Sequence, residues 1–104
     1  MGAALLCSDG TVVSGVNVEN SSYGATIGAE RTAFVKAISE GKRKFQAIAV
    51  AAGNSEALPC GICRQFMYEF GEDIDIITGE NETKLTVQSL SDLLPRGFRL
   101  QEKL

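Results

Sequence analysis

From Met1 to Cys7, and again from Thr11 to Val18, the chain is rich in small, apolar and β-branched residues, and the two runs flank Ser8-Asp9-Gly10. Asp-Gly between two such runs signals a hairpin, because these residues accept the positive φ that a tight turn demands. Glu19 to Gly24 is polar and turn-like. From Thr26 the period changes: Ala29, Ala33 and Ala37 fall on one helical stripe, with Phe34 and Ile38 beside it. Thr26 is the predicted N-cap and Gly41 the predicted stop. A stripe of alanines implies a helix lying close against a sheet. Gly28 is out of keeping with this reading. It stands in the predicted first turn, although glycine in a helix costs roughly 1 kcal/mol against alanine.

Phe45 to Ala52, with Ile48 and Val50, is an apolar run suited to a buried strand. Gly53 to Pro59 reads as loop. Cys60, Cys63, Phe66, Met67 and Phe70 then recur at helical spacing and end at Gly71. Ile74 to Thr78 is a further strand, Gly79-Glu80-Asn81 a turn, and Lys84 to Val87 a short strand. Gln88 to Leu94 reads as a last helical segment before Pro95. The order β-β-α-β-α-β-β-α predicts a sheet with helices packed on it, an α/β layered fold. The 104 residues form one predicted domain, 1–104, without repeats or low-complexity linkers.

Composition narrows the partners. Ten Lys+Arg against thirteen Asp+Glu leave a net charge of −3, so no basic face for nucleic acid is advertised. No apolar run approaches the ~20 residues that span a membrane, and Met1–Leu6 lacks a signal peptide's basic region and the myristoylation pattern. The chain reads as cytoplasmic. In that reducing compartment its three cysteines favour metal binding or thiol chemistry over a disulfide framework. With no histidine present, acid–base work falls to carboxylates and thiolates.

Pro59-Cys60-Gly61-Ile62-Cys63 opens the second helix and sets two thiols on one helical turn. The positive end of the helix favours thiolate there. One Cys-x-x-Cys is weak evidence alone, since small buried cysteines are often packing. Glu30 in the first turn of the other helix is equally open to a bland reading, as a complement to the helix dipole. Together they say more. A helix opening with Ala-Glu, followed after a strand by Pro-Cys-x-x-Cys, is the layout of zinc-dependent base deaminases, where His/Cys/Cys or three cysteines hold the ion and a non-ligand Glu moves protons.

At that level of detail the chain resembles the small, homotetrameric cytidine deaminases along nearly its whole length. The matching stretches are "GAALL" (2–6), "GVNVENSSYG" (15–24), "AERTAFVKAISEG" (29–41), "PCGICRQFMYEF" (59–70) and "LLPRGF" (93–98). The resemblance implies a three-layer α/β/α fold around a mixed five-stranded sheet. It implies zinc-dependent hydrolytic deamination of cytidine or deoxycytidine to the uridine form. It further implies Zn²⁺ on Cys60 and Cys63, and Glu30 as the proton shuttle that also contacts ring N3. Asn17 and Glu19 would hold the ribose hydroxyls, and the backbone of Ala29 would contact the base. Arg31 would hydrogen-bond the ligand thiolates, while Tyr23 and Phe98 would complete a neighbouring subunit's pocket in a homo-oligomer, tetramer or dimer. Read without it, Asn17 and Glu19 are turn residues, Arg31 a surface charge and Phe98 core.

Two departures shape the expectation. Where the three-cysteine members read Cys-Ala-Glu, this chain reads Gly28-Ala29-Glu30, and glycine cannot ligate. Catalytic zinc needs three protein ligands and one open position. Cys7, at the end of the opening strand, is not expected to substitute. The second departure is upstream of "GAALL", where relatives carry a helix and an aromatic that stacks on the pyrimidine. Met1 stands where valine is usual, as a GTG codon read as a start would produce. The expected activity is therefore absent or severely reduced. The alternative is a catalytically inactive nucleoside-binding or subunit-assembly protein. A Cys-x-x-Cys redox protein leaves the other motifs without explanation.

Overall fold

A computed structural model describes residues 1–53, 56–71 and 73–100. Its elements in chain order are β1 (Gly2–Cys7), β2 (Val12–Val16), α1 (Ala29–Ser39), β3 (Phe45–Ala51), α2 (Gly61–Tyr68), β4 (Asp75–Asn81), β5 (Lys84–Ser89) and α3 (Leu90–Leu93). A single 3-10 turn, Tyr23–Ala25, precedes α1. The strands form one five-stranded sheet in the order β2-β1-β3-β4-β5. Only the β3–β4 pair is parallel, so the sheet is mixed, as expected. The Asp9-Gly10 turn closes the β1–β2 hairpin, with Gly10 at a positive φ and Gly2 opposite Val16.

Alternation along the strands sends one set of side chains to the core. Ala3, Leu5, Cys7, Val13, Ile48, Val50 and Ile76 are buried there against Ala29, Ala33, Phe34 and Ala37 of α1 and Met67 of α2. Phe34, Phe45, Phe66 and Phe70 pack as an aromatic group between the two helices and the end of the sheet, with centroids 4.8 Å apart for Phe34–Phe45 and 5.5 Å for Phe66–Phe70. The opposite sheet face bears Ala4, Val12, Val16, Ile77, Leu85 and Val87; no helix covers it among the described residues.

The alanine stripe does bring α1 close. A Cβ on Gly15 of β2 would stand 2.5 Å from both the Ala29 carbonyl oxygen and the Ala33 nitrogen, so only glycine permits this approach. Gly41, at φ 93°, ends the helix: its N–H donates to Ile38 and the Lys42 N–H to Ala37, which satisfies two terminal carbonyls. Lys42 then pairs with Asp9 at 2.6 Å, joining the β1–β2 turn to the end of α1.

Three expectations move. The N-cap of α1 is Gly28; Thr26 instead closes the preceding 3-10 turn, donating to Tyr23. The predicted turn Gly79–Asn81 lies inside β4, because Asn81 Oδ1 accepts from the backbones of Thr83 and Lys84 and so reverses the chain later. Gln88 belongs to β5, and the last helix begins at Leu90 behind a Ser89 cap. Part of the predicted Gly53–Pro59 loop, positions 54 and 55, lies outside the described residues.

Candidate active site

Two helix N-termini meet on the core side of the sheet. At the first, Gly28 caps α1 with φ −71° and ψ 158°, a conformation open to any residue. Its carbonyl accepts from the Thr32 N–H at 3.1 Å. Nothing in the backbone asks for glycine. Glu30, in the first turn, is only 2% exposed, and its Oε1 has no hydrogen-bond partner among the described residues. A buried carboxylate oxygen without a partner is costly, of order 1–3 kcal/mol or more, so it is the kind of group a ligand satisfies. Arg31 turns back, its Nη2 donating to the Thr26 carbonyl at 2.8 Å. The segment carrying Asn17 and Glu19 is tied to this corner by paired backbone bonds between Val18 and Ile27, at 2.8 and 3.0 Å.

At the second N-terminus Cys60 caps α2 and is exposed, whereas Cys63 is 2% exposed. The backbone N–H groups opening α2, that of Cys63 foremost, favour the Cys60 thiolate and hold it below the ordinary thiol range against the opposing effect of burial. Cys63 goes the other way. Burial, then the nearby Glu30 charge, then Cys60 push it up to about 12, and a hydrogen bond from Arg31 opposes them. The expectation that the helix terminus favours thiolate at both positions therefore holds for Cys60 alone. In Cys63 desolvation outweighs the dipole.

The relation between the two termini appears at Gly28. A Cβ built there would stand 2.9 Å from Cys63 Sγ and 3.6 Å from Glu30 Oε1. Any side chain at position 28 therefore points at the buried thiol, whose sulfur has to shift slightly to admit it, with the carboxylate in ordinary contact beside it. Cys7 is not a substitute. It is buried beside Asp9, Glu40 and Lys42 at the far end of α1, about 16 Å away along an eleven-residue helix. Among the described residues no three His, Cys, Asp or Glu side chains converge as a metal site. The donor set, two thiols and a glycine, does not fit a catalytic zinc held by three protein ligands.

Of the other residues singled out in the sequence, Ala29 is fully buried at the corner. Asn17 is half-buried and its Oδ1 accepts from the Met1 amino group at 3.0 Å, while Glu19 is exposed. Tyr23 and Phe98 are 90% and 67% exposed, so neither is core. The structure adds Arg64. Its Nε donates to Pro59 O at 2.7 Å and its Nη1 to Leu93 O at 2.8 Å, which fixes the peptide entering Cys60 and ties α2 to α3. Gln65 similarly holds the backbone of Phe98 at 2.6 Å. Their only sequence signal is adjacency to Cys63, which says nothing of direction.

A buried carboxylate and a thiol pair, brought together from two helix N-termini over a mixed sheet, define a deaminase-type framework. Comparison with known proteins makes this specific. The family model described as the cytidine and deoxycytidylate deaminase zinc-binding region matches residues 1–80, and the chain belongs to that family. A cytidine deaminase of Sporosarcina psychrophila is 55% identical over 98% of this chain and 76% of its own length. A probable cytidine deaminase of Dictyostelium discoideum is 49% identical over all of this chain and 71% of its own. The crystal structure of cytidine deaminase from Burkholderia pseudomallei superposes with a TM-score of 0.83 at 43% identity, covering 93% of this chain and 80% of that one.

Proposed function

We propose that this chain binds pyrimidine nucleosides in the manner of cytidine deaminases, but deaminates cytidine and deoxycytidine weakly or not at all as written. The observation that carries the reading is the orientation of position 28. The Cα–Cβ direction there leads to Cys63 Sγ and Glu30 Oε1, and glycine supplies no donor. In this reading Cys60 and Cys63 are two of the three ligands such a site requires, and Gly28 marks the third.

The remaining parts of the site do not depend on that ligand. Glu30, buried with an unpartnered oxygen, is the proposed proton-handling group facing the base ring. Asn17 and Glu19 take the ribose hydroxyls from a segment held to α1 through Val18 and Ile27. Ala29 offers its backbone to the base, and Arg31, beside Cys63, opposes the rise of its pKa and would temper the charge of a ligating thiolate there. Tyr23 and Phe98, exposed and aromatic, are suited to completing a neighbour's pocket in a homo-oligomer. Nucleoside binding therefore survives even where chemistry fails.

Two measurements on the purified chain test the proposal. With zinc and cytidine supplied, ammonia release is expected to fall more than about 100-fold below that of the Gly28→Cys variant, since disturbing even a supporting partner costs 10–100-fold. Comparable turnover in the two proteins refutes impairment. Titration calorimetry with uridine is expected to show binding by the unmodified chain, and the absence of heat at millimolar uridine refutes the binding reading.

A further inference from the structure

The two thiols left without a third ligand have another chemistry open to them. Cys60 is exposed at the cap of α2, and Cys63 is buried behind it at the third helical position. The two residues share the first turn of α2, and each sulfur lies near enough to influence the other. Residues three apart on one helical turn have Cα atoms about 5 Å apart, inside the Cα span a disulfide tolerates, and a small side-chain turn brings the sulfurs together. At position 28 there is no side chain to engage Cys63 Sγ from the other side.

We propose that Cys60 and Cys63 form a reversible intramolecular disulfide by exchange with small-molecule disulfides, Cys60 attacking and Cys63 resolving. The exposed Cys60 sulfur attacks one sulfur of the incoming disulfide. That S–S bond breaks, one thiol leaves with a proton, and Cys60 carries the mixed disulfide. The Cys63 sulfur then attacks Cys60 Sγ, forming the internal S–S bond and expelling the second thiol. The protein dithiol loses two electrons and two protons, and the small disulfide is reduced to two thiols. Both sulfurs are then unavailable to a metal ion, so oxidation state decides whether the pair can act as ligands at all. The inference stands on the thiol geometry and is independent of nucleoside binding.

The test treats the full chain with oxidised glutathione, with a chelator present throughout, then alkylates it and maps the peptides by mass. Expected is the loss of two of the three alkylatable thiols. The peptide spanning Cys60 and Cys63 becomes two hydrogens lighter, Cys7 stays reduced, and dithiothreitol restores both thiols. Cys60→Ser, which keeps a good capping side chain at an exposed site, is expected to leave Cys63 unreacted. Accumulation of a glutathione adduct on Cys60 with Cys63 still a thiol overturns the proposal. So does retention of all three thiols, or oxidation of Cys63 in the Cys60→Ser variant.

Discussion

Cys60 and Cys63, three residues apart at the candidate site, have opposite surroundings. Cys60 is solvent-facing and held low by backbone donors; Cys63 is desolvated, faces Glu30 and is held high. The second shift has a consequence for stability. In the unfolded chain Cys63 deprotonates near the ordinary thiol value of 9.0, and in the folded chain only near about 12. A folded-state value raised above the unfolded one leaves stability intact below pH 9 and drains it as pH rises towards 12, because the unfolded state releases a proton that the native state keeps. Urea denaturation under reducing conditions is expected to show stability falling from about pH 9 to pH 11, by at most roughly 1.4 kcal/mol per pH unit from this group. The fall is expected to be shallower in Cys63→Ala. Equal slopes in the two proteins contradict the assignment. The sequence alone placed both thiols on one turn, but solvent exposure, which separates them, depends on what packs over α2.

At the scale of elements, the site depends on how closely α1 seats on the hairpin and how firmly α2 is anchored. Gly15 permits the first. Gly15→Ala drives a methyl into the backbone of Ala29 and Ala33, which cannot yield as a side chain would. A loss of about 3 kcal/mol is expected, the upper end for overpacking. For a chain of this size that is a fall in Tm of more than about 10 °C, and an unchanged Tm contradicts the close packing. Arg64 provides the second through its bonds to Pro59 and Leu93. Arg64→Ala is expected to lose about 2 kcal/mol, in keeping with charge-assisted hydrogen bonds, and a differential scanning measurement within 1 °C of the unmodified chain would rule that out. The strands, the α1 stripe and the Cys-x-x-Cys cap were legible because each follows from local periodicity and turn chemistry. Gly15 was not, since its reason lies fourteen residues away on α1. Gln88 reads as helix in the sequence because a strand followed directly by a one-turn helix has no breaker between them.

For the whole molecule, the fold brings two helix N-termini together so that residue 28 faces residue 63, a relation no local pattern contains. The motifs identified the family, and the geometry shows why glycine in one of them matters: its backbone conformation is open to any side chain, while its missing Cβ points at a thiol and a carboxylate. The central claim is that this position is the third ligand site, made silent by glycine. It is tested most directly by the zinc content of purified protein after zinc loading and desalting, for the unmodified chain, Gly28→Cys and Gly28→Ala. The account predicts about one zinc per chain in Gly28→Cys, as three thiolates suffice for a tetrahedral site, and far less than one in the other two. Stoichiometric zinc in the unmodified chain, or no gain in Gly28→Cys over Gly28→Ala, would contradict it.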